Sequence, residues 1–576
     1  MTIQTIQRRS PWLMAPFVLV DILLTPRRWS SGMERAATAV SNALVLDSTG
    51  LARFLMRLLN RLSPLRAHIL SRSRFLTRVD WAIRKSIWAF TWAFVVFVRL
   101  WPRRTPIPVE QKRIRLISAP ESYSDFACPL LVVPSDVPSS ELTLPGAMSV
   151  QSLHLMQDIY PIVTSHQPVA ATDAAKRLRQ VFPWIYHVVR SAPVWHQDLA
   201  DAAAQGNLLG VLATAGPFAK LLEKSAEGNG CFEIDLRYLS AYPVRDGLAR
   251  LGCRVHFAES HGSLAVSGIE YQGRLTKPED PAWPFVHRIA LCTLLTHTTV
   301  WRHGMQYHVA GIAPFAAITQ DLPPLHPLRR LLAPHVNQTL STNFHTHLTL
   351  RRSGFDVTGF SFSFETILHY YNEGARNFEI ARLDPRSDIQ RKGLPDSLKF
   401  PYREQAWMYF DLFESYVRRY IDHYYKDDRQ LQADAAVRTW FDALDTYIVG
   451  GIRNYAPQFA KADLIRLCTL FLYSVTVEHE ENSMWNYAVF LPATVHADGS
   501  DQSVGEVQSV MNFQMVISSA TNKLMTDFTH LALDAGAAGI MRDFQLSLQI
   551  LQVRMENEPD RYWRILPSDL EASVSA

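Results

Sequence analysis

Cysteine is scarce in this chain, and the few thiols form no recognisable pair. Five are spread over 576 residues, at Cys128, Cys231, Cys253, Cys292 and Cys468, an odd number with no CxxC among them. That argues against a disulfide framework or a structural zinc site and makes a reducing compartment the default. Long hydrophobic runs are absent too. The most apolar stretches, "SPWLMAPFVLVDILL", "GLARFLMRLLNRL" and "KSIWAFTWAFVVFVRLW", are bounded or broken by Asp21, Arg84 and Arg99 among others. They fall short of the ~18–20 uninterrupted apolar residues of a spanning helix. There is no HExxH, which removes the usual zinc-protease reading, and there are no internal repeats or low-complexity tracts.

Aromatic residues, by contrast, are plentiful (14 Trp, 20 Tyr, 29 Phe), and 48% of the chain is hydrophobic, so it has the means to bury a large core. The net charge of +4 hides an asymmetry. Residues 1–116 hold 20 Lys and Arg against 5 Asp and Glu, leaving 38 against 49 for the rest. A basic, aromatic, amphipathic region of this kind suits an anionic membrane surface. It suits equally a helix packed on the main body with its arginines in water. The paired arginines of "QRRSPWLMAPFVLV" have a loose twin-arginine look. No small-residue cleavage site follows promptly, and Arg27 and Arg28 come soon after, which disfavours export. The expected location is cytoplasmic or peripheral to a membrane.

Residues 1–105 read as helices ending at the "WPRRTPIP" turn, and 106–150 as a partly extended connection rich in Pro and Ser. Beyond residue 150, apolar residues recur at three and four in "SVQSLHLMQDIYPIV", "DAAKRLRQVFPWIYHVVRSA", "REQAWMYFDLFESYVRRYIDHYY", "ADAAVRTWFDALDTYIVGGIRNYA", "LIRLCTLFLYSVTVEHEENSMW" and "EVQSVMNFQMVISSATNKLMTDFTHLAL". "RVHFAESHGSLAVSGIEYQG" alternates around central turn residues and predicts a small β element. The fold class is mainly α, with one large helical bundle.

Histidine is concentrated. Residues 287–347 carry eight of the 20 (His287, His297, His303, His308, His326, His335, His345, His347). In "TTVWRHGMQYHVAGIAPF", His303 and His308 stand five apart in a stretch that reads as buried helix. At about 100° per residue they would point about 140° apart. They share a partner only where a π-bulge widens the helix, a feature found mostly at functional sites. Downstream, "SVTVEHEENSMWNY" puts His479 and Ser483 at i, i+4 on one helical face, with Asn482 at i+3 on the same side. Taken alone, that segment reads as a polar helix end with Glu478, Glu480 and Glu481 in water. The ending "YWRILPSDLEASVSA" has no charge after Glu571. It either frays or is drawn inside, where the carboxylate of Ala576 would be an anionic metal ligand.

The stretch 303–335 resembles the lipoxygenase family, which carries His-x4-His, a third His after 17 residues and a fourth after 8 more. His303, His308, His326 and His335 stand at those intervals. "HVAGIAPF" follows the pair, and "LHPLRRLLAPHVNQTLSTN", with Asn343 at its end, is similar to the family's next segment. "YREQAWMYFDLFESYV" and "VEHEENSMWNY" resemble its later helices, "FEIDLRYLSAYPVRDGL" and "LTKPEDPAW" the approach to the first, and "LPSDLEASVSA" its closing residues. The resemblance covers roughly 200–576. It implies a lipoxygenase-like catalytic domain over 117–576, preceded by the basic helical region 1–116 in place of the family's N-terminal β-sandwich.

Carried over by position, the iron ligands would be His303, His308, His479, Ser483 and the carboxylate of Ala576, with manganese accepting the same set. His326 and His335 would support them without ligating, Asn343 would support them as well, and Asn482 would either support them or take the place of Ser483 as ligand. Thr346 and His347 would help position substrate. The sequence departs from the family at several of these places. Ser483 stands where Asn or His is commonest, Ala576 where Ile is usual, Thr346 where Ala or Gly is usual, and His347 beside it where Arg is. The implied activity is dioxygenation of polyunsaturated fatty acids or related lipids to hydroperoxides by a metal-bound hydroxide, with molecular oxygen as co-substrate. Two alternatives stand beside it. One is a hydroperoxide isomerase, or an oxidative enzyme acting on a specialised metabolite. The other is a lipid-binding protein with a decayed metal site. Nothing points to nucleic acid.

Overall fold

Apolar spacing at three and four builds helices, and a small antiparallel sheet packs one face against them. The computed structural model describes residues 196–226, 231–340, 360–481, 491–503, 522–558 and 565–574, with 105–114 and a few residues between and before these. Almost all of the basic region, and the helices expected at 149–163 and 173–192, lie outside the described residues.

Two helices, α1 (His196–Ala204) and α2 (Leu208–Ala215), precede the sheet. A two-stranded pair, β1 (Leu116–Ile117) with β2 (Leu131–Val132), stands apart from it. The sheet itself is an antiparallel meander of β3 (Glu223–Lys224), β4 (Cys231–Asp235), β5 (Cys253–Ser260), β6 (Ser263–Tyr271) and β7 (Arg274–Thr276). The expected alternating element is the β5–β6 hairpin. Its turn, His261-Gly262, has φ of 53° and 79°. Positive φ at both central residues twists in the same sense as the strands. Along β5, Cys253, Val255 and Phe257 are buried and the residues between them are more open, so one face of the sheet joins the core.

A single helical run then crosses the molecule: α3 (Trp283–Thr296), a π-helical segment π1 (His297–Gly311) and α4 (Ile312–Thr319). After it come α5 (Pro327–Val336), α6 (Phe364–Arg376), α7 (Pro385–Lys392), α8 (Pro401–Tyr424) and α9 (Ala435–Tyr447). A second broken helix follows, α10 (Lys461–Tyr473) continuing into π2 (Ser474–Glu478) and a last turn, His479–Glu481. The final helix is α11 (Ala535–Glu556). The two π-bearing runs lie side by side, with Phe315 of α4 stacked on Phe471 of α10 at 3.8 Å between centroids. Helix α8 packs against both α10 and α11.

Local chemistry sets several boundaries. The Asp384 carboxylate caps α7 by accepting from the amides of Arg386 and Ser387, with Pro385 at its first position. Asp434 and Asp534 cap α9 and α11 in the same way. The helix expected over 433–456 stops at Tyr447, because Gly450 and Gly451 adopt φ of 76° and 69° in the turn that follows. The helix expected over 506–533 does not reach its end. From Asn522 on, the backbone pairs with the C-terminal segment, Leu524 N–H donating to the Leu570 carbonyl at 3.0 Å. Helix α11 was not among the expected elements, although Asp534 as N-cap and buried Met541, Phe544, Leu548, Leu551 and Met555 are the pattern of one. No helix among the described residues is long and apolar enough to cross a membrane.

Candidate metal centre

In π1 the i→i+5 bonding places residues five apart on one face. His303 and His308 therefore meet instead of diverging, with Nε2 atoms 3.1 Å apart. From the neighbouring run, His479 brings its Nε2 to 3.2 Å from that of His308. The three rings are within 4.4–5.1 Å of one another by centroid. Among the described residues they form a group able to hold a metal ion.

The electrostatics favour neutral rings. Burial drives His303 well below the ordinary histidine value, with a further push from His308, and holds His308 at about 4. The proton on His308 is placed by Asn343. Its Oδ1 accepts from His308 Nδ1 at 2.7 Å, while its Nδ2 donates to the His308 carbonyl at 2.9 Å. Nε2 is then the lone-pair nitrogen. The Nε2 atoms of His303 and His479 crowd that one lone pair, and neither His303 nor His308 readily takes an extra proton. A cation resolves this. Metal–nitrogen bonds of about 2.1 Å set two cis nitrogens about 3.0 Å apart at a right angle, close to the separations found. The donor set suits a divalent first-row ion such as iron or manganese.

The other expected site residues divide clearly. Asn343 supports His308 directly. His335, on the last turn of α5, uses Nδ1 to donate to the Ala572 carbonyl at 2.7 Å. His326 caps the start of α5, its Nδ1 accepting from Leu328 N–H, and its Nε2 meets Asp434 at 3.0 Å. Both are helix-fixing contacts. The C-terminal segment is indeed drawn inward, with Leu570, Ala572 and Val574 buried and Ser573 Oγ donating to the Asn337 carbonyl at 2.8 Å. Asn482, Ser483, Thr346, His347 and Ala576 lie outside the described residues.

The polar end expected at 478–481 is corrected. Glu478, Glu480 and Glu481 are all buried, at 2% exposure or less. Glu478 tolerates this because cations face it. Burial alone would raise its carboxyl, but Lys220 and Arg302 hold it below the ordinary glutamate value. Glu481 goes the other way, pushed well above that value by burial and by Glu478. Sequence reasoning missed this charged interior because the partners of Glu478 are distant in the chain. The one local hint was Arg302 sitting inside an otherwise apolar stretch.

The class is defined at this point: a mainly α fold with a small antiparallel sheet, holding a three-imidazole cluster between two π-widened helices. Comparison with known proteins shows what the chain is similar to. No model of a protein family matches the sequence. The linoleate 9/13-lipoxygenase of Pseudomonas aeruginosa is 24% identical over 331 residues, which is 54% of this chain and 46% of that protein. The mouse 12R-type arachidonate 12-lipoxygenase is 21% identical over 278 residues, 43% of this chain and 39% of its own length. The chain thus spans less than half the length of these relatives. Among solved structures, coral 8R-lipoxygenase superposes with a TM-score of 0.62 at 14% identity, covering 77% of this chain and 76% of that one. A lipoxygenase crystallised anaerobically with arachidonate gives the same TM-score and identity over 77% and 78%. The chain is similar in sequence to lipoxygenases and shares the fold of these lipoxygenase structures.

Proposed function

We propose that the chain is a non-haem metal dioxygenase of the lipoxygenase type, acting on a polyunsaturated fatty acid or related lipid. The observation that carries this reading is the convergence of three imidazoles, His479 buried and His303 and His308 half-buried, with the latter two held neutral by desolvation. The relatives are named for linoleate and arachidonate, and one, from Pleurotus sapidus, is a manganese lipoxygenase. His303, His308 and His479 would hold the ion, with Ser483 and the terminal carboxylate of Ala576 as candidate oxygen ligands. Iron bound there would supply the one-electron chemistry that activates a doubly allylic C–H bond before oxygen adds. This chain's own contribution is positional. Asn343 fixes the His308 tautomer, and the two π segments aim the rings. Thr346 and His347 are proposed to position the substrate chain. The basic region 1–116 is proposed to meet an anionic membrane surface or pack on the body, and the location to be cytoplasmic or membrane-peripheral.

The test pairs metal analysis with oxygen uptake. The purified full chain should carry iron or manganese, consume oxygen with linoleate or arachidonate, and produce conjugated-diene absorbance. Bound metal without oxygen uptake, together with consumption of a fatty-acid hydroperoxide, would replace this reading with an isomerase. Carefully prepared protein that takes up neither metal would leave a lipid-binding protein.

A further inference from the structure

Beside the imidazole cluster, a second group of buried side chains gathers on one carboxylate. Glu478 Oε1 forms an ion pair with Lys220 Nζ at 2.6 Å and accepts from the hydroxyls of Tyr402 and Tyr473, each at 2.9 Å. Its Oε2 receives Arg302 Nη2 at 3.1 Å and the Tyr307 hydroxyl at 2.9 Å. Four hydrogen-bond donors fill the roughly four lone-pair directions that a carboxylate offers, and the Lys220 ammonium adds an ion pair. They come from the segment after α2, from π1, from the start of α8 and from the end of α10. Arg302 also donates to the Pro217 carbonyl at 3.0 Å, tying the segment after α2 a second time.

The placement of these residues in the chain is the telling feature. Each of the three converging histidines directly follows a member of this group: Arg302 precedes His303, Tyr307 precedes His308, and Glu478 precedes His479. Neighbouring residues on a helix leave its axis in different directions. The carboxylate therefore grips both π segments on a face adjoining the one that carries the rings. A pair of helices pinned on one such face can neither slide nor rotate without parting the imidazoles on the other.

We propose that Glu478 is a positioning residue for the metal. By clamping π1 to π2 it holds the three Nε2 atoms together before the ion arrives and slows the ion's departure. This rests on the reading of the cluster as a metal site, and it assigns Lys220, Arg302, Tyr307, Tyr402 and Tyr473 to the same clamp. Outer groups that orient metal ligands typically change metal affinity about 10- to 100-fold when removed.

The test follows release of ferrous iron from the full-length protein, loaded anaerobically and then mixed with excess chromogenic ferrous chelator. Tyr402→Phe and Tyr473→Phe each delete one donor without changing charge and should release iron several-fold faster than wild type. Glu478→Gln should do so at least about tenfold faster. Lys220→Met combined with Glu478→Gln should recover part of that loss by removing an unbalanced cation. Tyr409→Phe is the control. It lies on the same helix α8 and loses an equally buried bond, to the Ile565 carbonyl at 2.6 Å, but it does not touch Glu478. It should release iron at the wild-type rate. Release from the tyrosine variants at the wild-type rate would overturn the proposal, as would equal acceleration by Tyr409→Phe at a matched loss of melting temperature. If Glu478→Gln does not fold, the tyrosine pair still decides. Wild type that binds no iron would sink the metal reading itself, and the clamp with it, a different outcome from iron bound and released independently of Glu478.

Discussion

At the scale of single residues, polarity in the core is used to fix protons and positions. Asn343 bonds both His308 Nδ1 and the His308 carbonyl, so it orients the ring and the turn that bears it. Asn343→Ala frees the ring to rotate and to change tautomer. Metal affinity, measured by competition with a chelator, should weaken about 10- to 100-fold. His335 makes a separate prediction about pH. Burial lowers it to about 4, against about 6.5 unfolded, although the Ala572 carbonyl opposes the shift. Between those values the unfolded chain binds a proton that the folded chain refuses. Its contribution to stability is therefore complete above about pH 6.5 and is lost as pH falls toward 4, at up to about 1.4 kcal/mol per unit. His335→Gln cannot take that proton. The variant should melt lower than wild type at pH 7.5, and the gap should narrow at pH 5. A gap that stays constant across that range would refute the assignment.

At the scale of elements, π1 and α6 approach closely because each offers the other a glycine. A Cβ on Gly374 would collide with the Trp301 indole, and one on Gly304 with the Tyr371 hydroxyl. Trp301 has little room to retreat, since it stacks on His297 at 6.1 Å and lies 5.0 Å from Tyr370. Gly374→Ala gains helix propensity but should lose more to overlap, a net cost of about 1–3 kcal/mol. Gly539→Ala, on α11, meets nothing within 4 Å and should be neutral or stabilising by up to about 1 kcal/mol. Thermal melts of the two variants should move in opposite directions.

The elements also show what could be read in advance. The five-residue spacing of His303 and His308 signalled a widened turn, because a regular helix cannot aim both rings at one point. The alternation around His261-Gly262 signalled a hairpin, because both properties are local. The burial of Glu478 was not legible. Its sequence neighbours His479, Glu480 and Glu481 look solvated, while Lys220, Arg302 and Tyr402, which face it, are assembled only by the fold. The π2 segment was hidden for a similar reason. Ser474–Glu478 has no repeat of histidines to advertise it, and only its juxtaposition with π1 shows its use.

At the scale of the whole molecule, the C-terminal segment acts as a tie. Asn522 gathers three places: its Nδ2 donates to the Pro334 carbonyl at 2.9 Å, its carbonyl accepts from Ala572 N–H, and its Oδ1 accepts from Thr105 Oγ1 at 3.4 Å. The imidazole cluster is a second tie, between His303 and His308 on π1 and His479 beyond π2. An ion joining those runs binds the folded chain alone, since the unfolded chain scatters the three rings over more than 170 residues. Mass action then raises stability by about 4 kcal/mol when free metal stands at 1,000 times its dissociation constant. Unfolding entropy of about 2 cal/mol/K per residue makes that worth about 3–4 °C for a chain of 576 residues. Chelation should therefore lower the melting temperature of wild type by about that amount, and adding back ferrous iron should restore it. His479→Ala should melt low at the outset and show no response to either treatment. A wild-type melting temperature indifferent to chelator, in protein verified by metal analysis to have been loaded, would mean that the cluster does not join the two runs.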